Sequence, residues 1–121
     1  MFEVCVEEMF AAGHALRGYK GKCENVHGHN YRVMITVQGE SLDGVGMLCD
    51  FGTVKKHLRA VVAKLDHQFL NDLEPFTTLN PSAENMAKYF HDEIAPHLPD
   101  AARVTEVRVW ETPTSAAAYR P

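Results

Sequence analysis

The sequence predicts an α+β domain in which a four-stranded antiparallel sheet carries two helices on one face. Segments near both ends of the chain alternate apolar and polar residues, as half-buried strands do. Between them, two segments repeat apolar residues at three- and four-residue steps, as amphipathic helices do. The resulting order, ββααββ, indicates two hairpins with both helices packed against the same side of the sheet.

The first hairpin is predicted from residues 2–14 and residues 27–39. The inward residues of its first strand share one parity, with Glu8 as an exception: Phe2, Val4, Val6, Phe10 and Ala12. The inward residues of its second strand, from His27 to near Gly39, are Tyr31, Val33, Ile35 and Val37. The connection from Arg17 to Val26 contains two glycines and several charges, which predicts a loop.

The helices and the second hairpin follow the turn-rich segment Ser41–Gly46. The apolar stripe of the first helix is Phe51, Val54, Leu58, Val61 and Leu65. The second helix begins at Pro81 or Ser82, since proline suits a first turn, and ends before Pro99. Its inward residues are Met86, Phe90 and Ile94. A third strand contains Val107 and Val109 and ends at Glu111, and the fourth spans Ser115–Arg120.

Length, charge and composition restrict the classes of function. A chain of 121 residues allows one domain, residues 1–121, around a single core. The net charge of -4 and the lack of a long Lys/Arg run argue against a nucleic-acid partner. The first residues are acidic and no segment approaches the roughly 20 apolar residues that span a bilayer, so we expect a cytoplasmic protein without a membrane partner. The open sheet edges predict an oligomer.

Three histidines form the main candidate site. His27 and His29 are two residues apart on one strand, so both imidazoles leave the same face. His14 has the parity of the apolar face and ends the neighbouring strand close to His27. Three imidazoles with an open fourth position are typical of catalytic zinc, although buried histidines more often serve as hydrogen-bonded core residues. The remaining histidines His57, His91 and His97 lack this spacing and are predicted to be solvated.

Cys23, Asp66 and His67 are candidates for proton transfer. Cys23 precedes His27 by four residues in a charged loop, where a thiol could be a base, a nucleophile or a fourth ligand. Asp66 and His67 follow the first helix directly. They are either an acid–base pair or a helix-terminal histidine favoured by the helix dipole. The other cysteines, Cys5 and Cys49, are predicted to be small packing residues.

Glu111 is a candidate for ligand recognition. It shares the inward parity of Val107 and Val109, and a buried carboxylate needs a cationic or multi-donor partner. That partner is either Arg103 or Arg108, or a guanidine-like ring edge that presents two N–H groups to the two carboxylate oxygens.

Six blocks of sequence together resemble the 6-pyruvoyltetrahydropterin synthase superfamily. They are Ala11–His14, Cys23–His29, Gly46–Phe51, Leu65–Asn71, Asn80–Asn85 and Glu111–Thr112, and they fall in the family's order across nearly the whole chain. The combination of Cys-x-x-x-His-Gly-His with Leu-Asp-His-x-x-Leu-Asn is the most specific part. The short chain is most similar to the branch that forms 6-carboxy-5,6,7,8-tetrahydropterin for 7-deazapurines such as queuosine.

The resemblance implies a tunnelling fold, in which trimers close into a barrel and two barrels stack into a homo-hexamer. It implies 7,8-dihydroneopterin triphosphate as the small-molecule substrate, with acetaldehyde and triphosphate released. It also implies that His14, His27 and His29 hold Zn²⁺ and that Cys23 is the general base. The alternatives are the pyruvoyl-forming branch, a branch that replaces the cysteine with glutamate, and a non-catalytic zinc- or pterin-binding protein.

The resemblance assigns roles to further residues. Asp66 and His67 match a proton relay that reaches the active site of a neighbouring subunit, Glu111 matches the pterin anchor, and Ser82 matches a hydroxyl that helps to hold the ring. Gly13 and Ala83 depart from the family's usual residues and affect only fine substrate contacts. Candidates for the triphosphate site are, by position, Arg17, Lys20 and Lys22.

Overall fold

The computed structural model of the chain describes residues 1–21 and 24–121. Within these ranges the chain forms five strands and two α-helices. They are β1 (Phe2–His14), β2 (His27–Gly39), α1 (Phe51–Leu65), β3 (Gln68–Phe69), α2 (Ala83–Ile94), β4 (Arg103–Thr112) and β5 (Ser115–Tyr119). Short 3-10 turns lie at Leu70–Asp72 and Ala95–His97. The predicted α+β class and the order of the long elements are confirmed.

The strands form one sheet in the order β3-β1-β2-β4-β5. β1 and β2 pair antiparallel along their full length, from Phe2 opposite Gly39 to His14 opposite His27. The prediction of four antiparallel strands was incomplete, because β3 pairs parallel with β1 at Ala12 and Gly13 and makes the sheet mixed. A strand of two residues is too short to produce an alternating pattern.

The core lies between the sheet and the two helices, on what we call the helix-covered face. Apart from Phe51, the predicted inward apolar residues of β2 and of both helices are fully or almost fully buried there. Glu8, which breaks the apolar pattern of β1, reaches Arg59 of α1 with a 2.7 Å contact between Oε1 and Nε. The ion pair explains how a carboxylate is accommodated on this face.

Phe2 and Phe51 are exceptions to the predicted core. Phe2 is 46% exposed and Phe51 is 59% exposed, because each lies at the first residue of its element, beyond the end of the core layer. Asp50 caps the start of α1 by accepting a 2.7 Å hydrogen bond from the backbone N–H of Gly52. Neither of the helices described here is long and apolar enough to cross a membrane.

Candidate metal centre

The register of the first hairpin brings the three predicted ligands together. His14 lies directly opposite His27, and His29 follows two residues later on the same face of β2. One ring nitrogen of each histidine lies within 4.8 Å of the other two. His14 is only 1% exposed, whereas His27 and His29 are half-buried. The cluster therefore has a buried floor and one side accessible from outside.

Hydrogen bonds determine which nitrogen atoms point into the cluster. Nδ1 of His14 lies 2.7 Å from the carbonyl oxygen of Pro81, and Nδ1 of His27 lies 2.7 Å from that of Asn25. A carbonyl oxygen only accepts, so each Nδ1 is the donor and each neutral ring keeps a lone pair on Nε2. These two Nε2 atoms lie 2.9 Å apart. Two facing lone pairs repel each other unless a metal ion lies between them.

His29 completes the set of donors. Its Nε2 is buried and has no hydrogen-bond partner within the described part of the chain. Burial lowers the pKa of His14 and of His29 below the usual value, and the charge of Glu111 partly opposes this effect. Neutral imidazoles are the form that binds metals. Three of them with an open fourth side fit a zinc ion.

Tyr31 forms the floor beneath the histidines. Its ring centroid lies 5.9 Å from that of His14, 5.4 Å from that of His29 and 5.0 Å from that of Phe10. Burial, reinforced by the charge of Glu111, raises the pKa of the Tyr31 hydroxyl well above its usual value. The hydroxyl therefore remains protonated and available as a donor.

Glu111 lies beside the cluster, with Oε2 3.9 Å from Nε2 of His29. Its side chain is 30% exposed, and a predicted alternative partner, Arg108, bonds Glu106 instead at 2.9 Å. Glu111 lines a cavity of about 450 Å³ together with Ser82, and another of about 500 Å³ together with His29. The Glu111 carboxylate thus lines both the cavity beside the histidines and the cavity at the start of α2.

Ser82 is the N-terminal cap of α2. Its Oγ accepts a 3.1 Å hydrogen bond from the backbone N–H of Asn85. That bond uses a lone pair of the hydroxyl and leaves its proton free to be donated. The sequence-predicted pair of Glu111 and Ser82 therefore faces one cavity with an acceptor and a donor.

Asp66 and His67 form the predicted pair at the end of α1. Oδ2 of Asp66 lies 3.0 Å from Nδ1 of His67, and Oδ1 accepts a 2.9 Å bond from the N–H of Ala11. The Ala11 bond and then the His67 bond lower the pKa of Asp66. His67 has a φ of 58° and a side chain that is 81% exposed. A cleft of about 550 Å³ includes both His67 and His29 in its lining.

Known proteins share the sequence pattern of this chain. Residues 3–121 match the family described as 6-pyruvoyl tetrahydropterin synthase. The chain belongs to this family. It is 38% identical over 128 residues to the 6-carboxy-5,6,7,8-tetrahydropterin synthase of Bacillus subtilis, covering 99% of this chain and 86% of the relative. It is 36% identical over 104 residues to the human 6-pyruvoyl tetrahydrobiopterin synthase, covering 83% of this chain and 71% of the relative.

The fold of this family member is also that of solved relatives. The 6-pyruvoyl tetrahydropterin synthase of Caenorhabditis elegans superposes with a TM-score of 0.86 at 31% identity, covering 100% of this chain and 97% of that one. The synthase of Plasmodium falciparum shares the fold with a TM-score of 0.80 at 23% identity, covering 99% and 97%. The predicted tunnelling fold is thereby confirmed.

Two asparagines of the family blocks bind the backbone that follows β1. Asn71 accepts from the N–H of Ala15 at 2.9 Å and donates to its carbonyl at 2.8 Å. Asn80 makes the same paired bonds with Arg17, at 2.9 and 2.8 Å. Sequence reasoning recognised both residues as parts of motifs but missed their role, which is to hold the chain beyond His14 in place.

The basic residues after β1 are not equivalent. Nη2 of Arg17 donates to the carbonyl of Phe76 at 2.7 Å and to that of Asn71 at 3.4 Å, so this nitrogen is committed to the backbone. Lys20 is exposed. Two predicted residues, Lys22 and the candidate base Cys23, lie outside the described residues.

The prediction that the remaining histidines are solvated was partly wrong. His91 has a side chain that is 15% exposed, pairs with Asp92 at 3.0 Å and packs on Tyr119. His57 stacks on His97 with ring centroids 4.5 Å apart. A helical pattern places these residues on a helix but does not reveal the neighbours that cover them. The prediction that Cys5 is a packing residue was wrong, because Cys5 is exposed, whereas Cys49 packs against the core as predicted.

Proposed function

We propose that this chain is a zinc-dependent lyase that converts 7,8-dihydroneopterin triphosphate and water to 6-carboxy-5,6,7,8-tetrahydropterin, acetaldehyde and triphosphate. We assign the step to the biosynthesis of 7-deazapurines such as queuosine. The observation that carries the proposal is the cluster of His14, His27 and His29 with its opposed Nε2 atoms, beside the carboxylate of Glu111. The Bacillus subtilis relative bears the name of this activity.

The metal would be held by the three histidines through the nitrogen atoms that face the cluster. Bound there, zinc supplies Lewis acidity that polarises oxygens of the substrate side chain and makes neighbouring C–H groups more acidic. The carbonyls of Pro81 and Asn25 fix the orientation of two rings through their Nδ1 protons. Such outer partners orient metal ligands and increase their basicity.

The pterin ring would be held between Glu111 and Ser82. A carboxylate accepts from the 2-amino group and N3–H of a pterin as it does from a guanidinium, with two parallel hydrogen bonds. Ser82 lines the same cavity and would supply a hydroxyl proton to the ring. The 3.9 Å contact between Glu111 and His29 supports a binding mode in which the pterin ring lies at Glu111 and its side chain extends toward the histidine cluster.

Proton transfer is assigned to Cys23 as general base and to His67 as the second acid–base group. Asp66 accepts from Nδ1 of His67, which orients the ring and leaves Nε2 for the substrate. The high exposure of His67 suits a residue that completes the site of a neighbouring chain. We propose that open sheet edges pair to form trimers, and that two trimers stack into a hexamer.

The experiment that tests the function is a product analysis. The zinc-loaded protein is incubated with 7,8-dihydroneopterin triphosphate and the products are identified by mass. We expect acetaldehyde together with a 6-carboxypterin. Absence of turnover under metal-replete conditions contradicts the proposal and leaves a non-catalytic binding protein.

A second candidate is formation of the 6-pyruvoyl product from the same substrate. It is favoured by the name of the human relative, whose 36% identity is close to the 38% of the bacterial one. The same assay separates the two, because the pyruvoyl product retains the side-chain carbons and releases no acetaldehyde.

The role of Cys23 has its own test. Cys23→Ala is expected to keep its zinc and to lose turnover by about 100-fold or more, as for loss of a positioned base. Cys5→Ala is the matched control, because Cys5 is an exposed thiol on β1. Full activity in the Cys23 variant contradicts the assignment.

A further inference from the structure

Two buried side-chain atoms have no hydrogen-bond partner among the described residues, and they lie two residues apart. They are Nε2 of His29 and the hydroxyl of Tyr31, both on the inward face of β2. Buried polar groups are nearly always paired, so each of these atoms needs an explanation. A metal ion accounts for His29. It does not account for a phenolic hydroxyl, which carries a proton and acts as a donor.

The sheet register identifies the group that Tyr31 faces. β2 and β4 pair antiparallel with Arg32 opposite Trp110. The ladder ends at this pair. Continued by one residue, it would set Tyr31 opposite Glu111, and directly opposed residues have Cβ atoms about 4.5–5.5 Å apart. A register shift of β4 against β5 between Trp110 and Thr112 coincides with Glu111, and such irregularities redirect side chains.

The position of the Tyr31 ring is fixed by its neighbours. It is 0% exposed and stacks on Phe10 with an interplanar angle of 16°. His14 and His29 also contact it, with interplanar angles of 88° and 72°. A ring held in this way cannot turn its hydroxyl toward solvent. Glu111 differs, because its side chain is 30% exposed and, within residues 1–21 and 24–121, its polar contact is a long one of 3.9 Å to His29.

We propose that Tyr31 is a positioning residue for Glu111, and that its hydroxyl donates a hydrogen bond to the carboxylate when Glu111 holds the pterin ring. A carboxylate has about four acceptor sites. Two are used by the 2-amino group and N3–H of the ring, so a third remains for Tyr31. The bond fixes the plane of the carboxylate, which bidentate recognition requires. The inference rests on the anchoring role proposed for Glu111.

A double-mutant cycle on the zinc-loaded protein tests this inference. The variants are Tyr31→Phe, Glu111→Gln and the double variant. The probe is 7,8-dihydroneopterin, which lacks the triphosphate leaving group, and its Kd is measured by calorimetry. Tyr31→Phe removes one unpaired oxygen and keeps the ring, so we expect an unchanged fold and zinc content. Its Kd is expected to rise about tenfold, in the range of one hydrogen bond to a charged group.

Non-additivity is the result that a merely structural role would not produce. In the Glu111→Gln background, Tyr31→Phe is expected to have almost no further effect on Kd. With the full substrate, Tyr31→Phe is expected to raise KM more than it lowers kcat. Tyr89→Phe is the matched control, because Tyr89 is half-buried against Phe76, and it is expected to bind the probe normally.

The remaining outcomes separate this inference from the proposed function. Wild-type affinity in Tyr31→Phe, or an equal loss in both backgrounds, overturns the inference and leaves Glu111 as the anchor. Wild-type affinity in Glu111→Gln overturns the anchoring role and the inference with it.

Discussion

The Nε2 atoms of His14 and His27 lie 2.9 Å apart while both rings donate their Nδ1 protons to backbone carbonyls. The backbone thus fixes two rings in an arrangement that is repulsive when both are neutral and no cation is present. Repulsion of this kind is relieved when a cation binds between the rings. Metal binding should therefore raise the stability of the folded state as well as enable chemistry.

The first prediction concerns metal content. His27→Ala removes one of three donors, and the bound zinc is expected to fall well below one ion per chain, measured by plasma mass spectrometry after dialysis. His97→Ala is the control, because His97 is exposed and lies outside the cluster. Equal zinc content in the two variants would show that His27 is not a ligand.

The second prediction concerns pH and the metal-free protein. In the folded chain the pKa of His14 and of His29 lies below the usual 6.5, mainly because of burial. The unfolded chain therefore binds more protons than the folded chain at pH values below about 6.5, and stability rises with pH in this window. We expect urea unfolding in a chelator to show decreasing stability from pH 7 to pH 5.

The size and origin of this pH effect can be checked directly. The slope of the free energy of unfolding against pH should correspond to at most about two protons. It should approach zero above about pH 7.5, where both rings are neutral in the folded and in the unfolded chain. His29→Gln removes one titrating group, so its stability should depend less on pH. A variant with the same slope as the wild type would assign the effect to other groups.

The third prediction tests whether the relay acts between chains. Cys23→Ala and His67→Ala are each expected to abolish most activity. When the two variants are refolded together, sites that combine Cys23 of one chain with His67 of another are intact, and part of the activity should return. Two variants that stay inactive after mixing, although they assemble, would place His67 in the site of its own chain.

The fourth prediction concerns the close packing of β2 against the chain before β4. A Cβ atom at Gly39 would overlap the carbonyl oxygen of Ala101 and lie 2.5 Å from Cδ1 of Leu48. Gly39→Ala is therefore expected to lower the free energy of unfolding by about 1–3 kcal/mol or more. Gly44→Ala is the control, since nothing lies within 4 Å of its added Cβ. Equal urea unfolding midpoints for the Gly39 and Gly44 variants would contradict the close approach of Ala101 and Leu48 to Gly39.

The long elements could be predicted from the sequence because their patterns run through the whole element. β1 and β2 have the predicted bounds, and α1 begins at Phe51 and ends at Leu65 as its apolar stripe indicates. β3 could not be predicted, since two residues carry no period. Its pairing depends instead on the way the chain leaves α1, with His67 in the left-handed region.

Convergence of the three histidines followed from strand parity alone, but the groups that orient them did not. The Pro81 carbonyl that bonds His14 is 67 positions away and contributes through its backbone, so no side-chain pattern marks it. Tyr31 was recognised only as an inward residue. Its buried hydroxyl has no partner among the described residues, a property of the packing around it that no sequence pattern carries.

The bonds that Asp66 and His67 make with Ala11 also limit how copies of the chain can be joined. Both backbone groups of Ala11 at the outer edge of β1 are occupied, the N–H by the Asp66 carboxylate and the carbonyl by the His67 N–H at 2.6 Å. A strand that pairs with this edge can therefore form backbone hydrogen bonds only with the part of β1 from Phe2 to Met9. If neighbouring chains pair through their sheet edges, as proposed, Asp66 and His67 therefore limit the stagger between them.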